Sequence, residues 1–211
     1  MRFQFKRVIG IAALVGIAGT GALASTAANA ASQAPAASTS AAAVAPLNVT
    51  AYQYHVWGHN KPNDEWTVST HAPKGWTKAR LDVGTTRFTS PNKLWNLRVD
   101  GYIEGREAPT FNAAINAKIK ALRGTKNFRV LSIVDGSTKS MNYRGYYPTK
   151  TMTYTYTDGS GAKRLVIFRV LNPQASFKLV GGEISAGGRA ADHVGLHKVV
   201  DRATRAYTFA G

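Results

Sequence analysis

The chain has no cysteine. It therefore has no disulfide, no thiol nucleophile and no Cys-based zinc site, and its stability must come from a core alone. Acidic residues are scarce: 11 Asp and Glu stand against 27 Lys and Arg, giving a formal charge of +16. Most of the carboxylates fall at turns or beside basic residues, and no spacing proposes the facing pair that glycoside hydrolysis needs. Beyond the first thirty residues there is no run with the length and hydrophobicity of a transmembrane helix. Neither a G-x-S-x-G elbow nor a G-x-x-x-x-G-K-[ST] loop occurs, so the signatures of α/β-hydrolase and P-loop chemistry are missing.

What is present begins at the N-terminus. Arg2, Lys6 and Arg7 make a short positive region, an apolar glycine-interrupted stretch covers 8–24, and Ala28-Asn29-Ala30 supplies small residues for a peptidase. This is the three-part design of a cleavable secretory signal peptide over 1–30, cut after Ala30. No twin arginine redirects it from the general secretory route, and no cysteine stands near the cut to take a lipid. The expected product is free in the extracellular or cell-envelope space. Residues 31–46 are almost all Ala, Ser, Gln, Thr and Pro, without charge, a flexible leader unable to bury enough surface to order itself. An N-terminal extension covers 47–65 and one folded domain covers 66–211. Cleavage removes only three of the positive charges, so the mature chain should attract polyanions such as anionic envelope polymers or nucleic acid.

Alternation predicts strands over 66–71, 76–81, 87–90 and 94–99, the last continuing to Tyr102 and Ile103. Thr110 is placed to cap a helix whose Phe111, Ala114, Ile115, Ile119 and Leu122 share one face, with Lys118, Lys120 and Arg123 in its last turns and Gly124 as its stop. Strands follow over 128–134 and 137–144, with Asp135-Gly136 as the hairpin turn between them. Over 149–157, Met152, Tyr154 and Tyr156 face one way and Thr151, Thr153 and Thr155 the other. Asp158-Gly159-Ser160-Gly161 is the strongest turn signal. In the strand over 163–171, Leu165, Ile167 and Arg169 oppose Val166, Phe168 and Val170. A last strand runs over 176–184, Gly187-Gly188 breaks the pattern, and a helix follows over 190–204 with Val194, His197 and Val200 on one face. Strands with segregated helices give an α+β class: a curved antiparallel β-sheet with helices packed on its faces.

This order carries local signatures of a known family. Ala72-Pro73-Lys74-Gly75-Trp76 resembles the opening x-P-x-G-W turn of PsbP-like domains. The stretch from Arg144-Gly145-Tyr146-Tyr147 to Tyr154-Thr155-Tyr156 resembles the family's G-Y-x-A-x-x-W-x-Y strand, with Met152 where an aromatic is frequent. Asp158-Gly159-Ser160-Gly161-Ala162-Lys163-Arg164 is similar to the hairpin that follows, and Tyr207-Thr208-Phe209 to the terminal segment. The resemblance spans about residues 66–209 and implies a PsbP-like α/β/α sandwich, as in exported bacterial domains and those C-terminal to some serine/threonine kinases. It further implies a non-enzymatic binding or assembly role, with no cofactor and no catalytic set to carry over.

Read one by one, the chemically capable residues are few. His193 and His197 have metal-ligand spacing on the last helix, but Val194-Gly195-Leu196 lacks the zincin glutamate and no third ligand is evident. A half-buried His197 and an exposed His193 are the expected arrangement. Tyr52-x-Tyr54-His55-x-Trp57 reads as an extra edge strand docking the N-terminus, with Trp57 as a candidate ligand contact. Tyr143, Tyr146 and Tyr147 with Arg144, Lys150, Lys163 and Arg164 mix aromatic and basic residues as nucleic-acid binders do, but no nucleic-acid motif accompanies them; a solvated sheet edge is the expected arrangement, with Tyr143, Arg144, Lys150, Lys163 and Arg164 as candidate polyanion contacts. Three functions follow in order: a secreted non-enzymatic domain binding an envelope protein or component; a basic protein held to anionic polymers by charge; and an unrecognised hydrolase. The mark of the last would be a pocket gathering His71, His193 or His197 with a carboxylate.

Overall fold

A computed structural model describes residues 44–61, 64–101, 109–173 and 180–210. The segment expected to be a signal peptide, most of the expected leader, Tyr102, Ile103 and the start of the strand expected from 176 lie outside the described residues. Residues Pro46–Gly211 form one compact unit. The N-terminal extension contributes strand β1 (Tyr52–Lys61), which pairs along its whole length with β2 (Asp64–Pro73). The C-terminal strand β10 (Thr208–Ala210) pairs with the other edge of β2, closing a three-stranded antiparallel sheet.

A larger sheet of seven strands has the order β3-β4-β5-β9-β8-β7-β6, and every pairing in it is antiparallel. Its members are β3 (Thr77–Arg80), β4 (Thr85–Thr89), β5 (Asn96–Asp100), β6 (Arg129–Lys139), β7 (Tyr146–Thr157), β8 (Lys163–Leu171) and β9 (Gly182–Arg189). Two helices complete the architecture: α1 (Phe111–Leu122) and α2 (His193–Ala206), the second entered through a 3-10 turn over Ala190–Asp192. The α+β class follows, with mostly antiparallel sheets and two helices.

The period-2 pattern of β8 explains the layering. Leu165, Ile167 and Leu171 enter a core shared with α2 and the small sheet, where Trp57, Trp66, Val68, Phe88, Leu97, Leu196, Val199 and Tyr207 are buried. Val166, Phe168 and Val170 enter a second core with Met152, Tyr154 and the Phe111 and Ile115 side chains of α1. A strand apolar on both faces belongs in the middle of a sheet covered on both sides. Helix α1 begins as its sequence requires: the Thr110 hydroxyl accepts from the Ala113 N–H at 3.2 Å.

Three local expectations are corrected. Asp135-Gly136 is not a turn; β6 runs straight through it because Gly136 pairs with Thr149 and Asp135 with Lys150, whose Nζ lies 3.0 Å from the Asp135 carboxylate. The chain reverses at 140–145 instead, where the Ser140 hydroxyl accepts from the Asn142 and Tyr143 N–H groups and Gly145 takes φ 140°. Gly187-Gly188 does not break the pattern: both lie inside β9, and Gly188 is glycine because a Cβ there would sit 2.6 Å from the Trp95 ring. Val194 does not face the core. It is 66 % exposed, and α2 buries Leu196, Val199, Val200 and Ala203. Among the described residues, no helix is long and apolar enough to cross a membrane.

Candidate functional site

A cleft of about 440 Å³ opens between α2 and the β6–β7 side of the large sheet. Register decides its walls. Thr151 lies opposite Val134 on one side and Arg169 on the other, Thr153 lies between Ser132 and Ile167, and Thr149 between Gly136 and Leu171. Because Ile167 and Leu171 face α2, the threonines and Ser132 and Val134 face it too. The threonine alternation of β7 thus becomes one wall of a cleft. His193, His197 and Asp201, four residues apart along α2, form the facing wall.

The floor is charged but compensated. Arg169 is 7 % exposed, and its Nη1 donates to the Asp201 carboxylate at 2.7 Å and to the Thr204 hydroxyl at 3.3 Å. Its Nε donates to the Thr151 hydroxyl at 2.8 Å. A buried guanidinium is tolerated only when its donors are satisfied this way. Burial, together with the neighbouring His193 and Arg169, holds the His197 imidazole below its ordinary pKa against the opposing pull of Asp201. His197 is therefore neutral at pH 7, half-buried, and stands beside an exposed His193, with ring centroids 4.5 Å apart.

The cleft does gather His193 and His197 with a carboxylate. Acyl transfer further needs a hydroxyl bonded to an imidazole and a carboxylate orienting that imidazole. Among the described residues neither imidazole is hydrogen-bonded to a serine or threonine, and the Asp201 carboxylate is taken by Arg169. His71 is elsewhere: its Nδ1 accepts from Arg202 Nε at 2.9 Å, and its ring meets Tyr54 edge-on.

The other sequence candidates scatter. Trp57 is buried, stacks edge-on against Phe88 and donates through Nε1 to the Gly84 carbonyl at 3.1 Å, so it offers no face to a ligand. Tyr143 and Arg144 are exposed in the loop before β7, whereas Lys163 and Arg164 pair with Thr157 and Tyr156 at its far end, about 30 Å along the strand. They cannot form one patch. Lys150 is held by Asp135, and Arg164 donates to the Leu94 carbonyl at 2.7 Å. Further cations are likewise engaged within the fold. Lys78 donates to the Val56 carbonyl, Arg80 to those of Gly58 and Val83, and Arg189 to the Asp192 carboxylate.

Arg169 and Asp201 belong to the site although no motif or spacing marks them. A charged residue on the otherwise apolar Leu165, Ile167, Leu171 face was the available signal, since a lone cation there must find a partner.

No protein family matches the chain, and no curated protein does. Among solved structures, a Pseudomonas aeruginosa protein of unknown function aligns over 72 % of this chain and 94 % of its own, at 10 % identity and a TM-score of 0.42.

Proposed function

We propose that this is an exported, non-enzymatic binding domain of the cell envelope, PsbP-like in arrangement, which holds a neutral polyhydroxylated ligand such as a glycan segment in the α2–β6–β7 cleft. The observation that carries this reading is the chemistry of the lining: a bank of serine and threonine hydroxyls facing two histidines, over an arginine already neutralised by Asp201. Hydroxyls both donate and accept, as sugar hydroxyls do. A compensated floor gives no net attraction to an anion. The volume lies in the range of small-molecule sites, room for one or two sugar rings. The PsbP-like reading is supported by the order of elements, with one helix on each face of the large sheet. The export reading is supported by the N-terminal sequence alone.

The test is binding of the purified protein to envelope glycan across a salt titration, beside Val134→Arg. Val134 is 58 % exposed, so an arginine there blocks the cleft without disturbing a core. Binding that persists at about 0.5 M salt, where free charges are screened, and that Val134→Arg abolishes, supports the cleft. Binding that fades smoothly with salt and ignores the substitution favours attraction of the strongly basic chain to anionic polymers instead.

A further inference from the structure

We propose that His193 and His197 form a two-histidine site for a divalent transition-metal ion, copper(II) by preference, at the wall of the cleft. The glycan reading above does not require it. One face of one helix carries both rings, and that helix is fixed from below by Leu196, Val199, Val200 and Ala203, all fully buried. The backbone positions of both ligands are thus fixed before the metal arrives, which removes part of the ordering cost of binding.

The two ring centroids lie 4.5 Å apart, close enough for an i, i+4 pair of imidazoles on one helical face to reach a single ion at metal–nitrogen bonds of about 2.0 Å. Copper heads the affinity order of the divalent first-row ions, and imidazole suits it as a ligand. The nearest buried cation, Arg169, is countered by Asp201 at 2.7 Å, so its charge does not oppose the ion unscreened.

Among the described residues, no group of three or more His, Asp or Glu side chains converges as a metal cage. The site therefore supplies two protein ligands and leaves the other positions to water or to a bound molecule. Such an ion is exchangeable and is not needed for folding.

Calorimetry and visible absorption with copper(II) chloride, in a non-coordinating buffer, test the site on four purified proteins. These are the wild type, His193→Ala, His197→Phe and the double variant His193→Ala/His197→Ala. Phenylalanine keeps a ring at 197 without a ligand, and apo melting curves check that each variant folds. The wild type should take up one equivalent with a nitrogen-ligand absorption band. Each single variant should bind at least about tenfold more weakly, since even the loss of an outer-shell partner has that effect. Wild-type heat and absorbance no greater than those of the double variant would overturn the proposal, as would a site that prefers zinc to copper.

Discussion

The backbone N–H of Leu47 donates to the Asp192 carboxylate at 2.9 Å, tying the start of the folded chain to the entry of the last helix. The same carboxylate accepts from Trp95 Nε1 at 2.6 Å and from Arg189 Nε at 2.8 Å. One buried side chain thus joins the N-terminal segment, the approach to β5 and the β9–α2 junction.

Burial alone would raise the Asp192 pKa, but the bonds from Arg189, Trp95 and Leu47 more than offset it and bring it down to about 2. A carboxyl whose folded pKa is depressed contributes stability above its unfolded pKa and loses it as pH falls through the folded value. The contribution is of order 2 kcal/mol, present above about pH 4 and gone near pH 2. Asp192→Asn should lower stability by about 2 kcal/mol or more at pH 7 and flatten the acid limb of the pH–stability profile. Urea unfolding between pH 2 and 7 measures both.

Gly195 sits where Leu47 crosses α2. A Cβ at that position would lie 2.2 Å from the Leu47 carbonyl oxygen and under 3 Å from its side chain. Gly195→Ala should expel Leu47 and cost about 1–3 kcal/mol, despite alanine's better helix propensity. Limited proteolysis should then cut near residue 47 well before global unfolding.

Ile167 and Val194 are both aliphatic β-branched residues, but the fold treats them oppositely. Ile167 is fully buried, and Val194 is 66 % exposed. Ile167→Ala should cost about 2–5 kcal/mol by leaving a cavity. Val194→Ala should change stability by less than about 0.5 kcal/mol. Equal losses in chemical denaturation would contradict the assigned face of α2.

Three histidines contribute a milder pH dependence. His55, His71 and His197 are each lowered first by burial and then by neighbouring positive groups. The unfolded chain then binds more protons than the folded one below about pH 6.5, so stability falls as the solution is acidified through that range. His197→Gln should reduce the slope between pH 7 and 5, read as the change in melting temperature with pH.

Tyr207 is fully buried, and its hydroxyl donates to the Gly181 carbonyl at 2.7 Å. Tyr207→Phe should cost about 1 kcal/mol by leaving that carbonyl unpaired. A melting curve indistinguishable from wild type would refute the bond.

Features that depend on near neighbours in the chain are legible before folding is considered. Thr110 and the apolar spacing behind it make α1, period-2 alternation makes β7 and β8, and the four-residue interval puts His193 and His197 on one helical face. These follow from backbone geometry that a few residues suffice to impose. Features that depend on partners distant in the chain emerge only once the sheets and helices pack. Asp135-Gly136 has turn composition, yet the long ladder to β7 pulls it straight, because each cross-strand pair adds to a sum the local preference cannot match. Trp57 is aromatic and near the N-terminus, but only the pairing of β1 with β2 and the position of Phe88 bury it. The cleft is wholly a matter of register: shifting β6 or β7 by one residue would turn Val134, Thr151 and Thr153 to the other face. Arg169 and Asp201 meet only because α2 folds back over β8, a relation set by packing and carried by no stretch of the sequence alone.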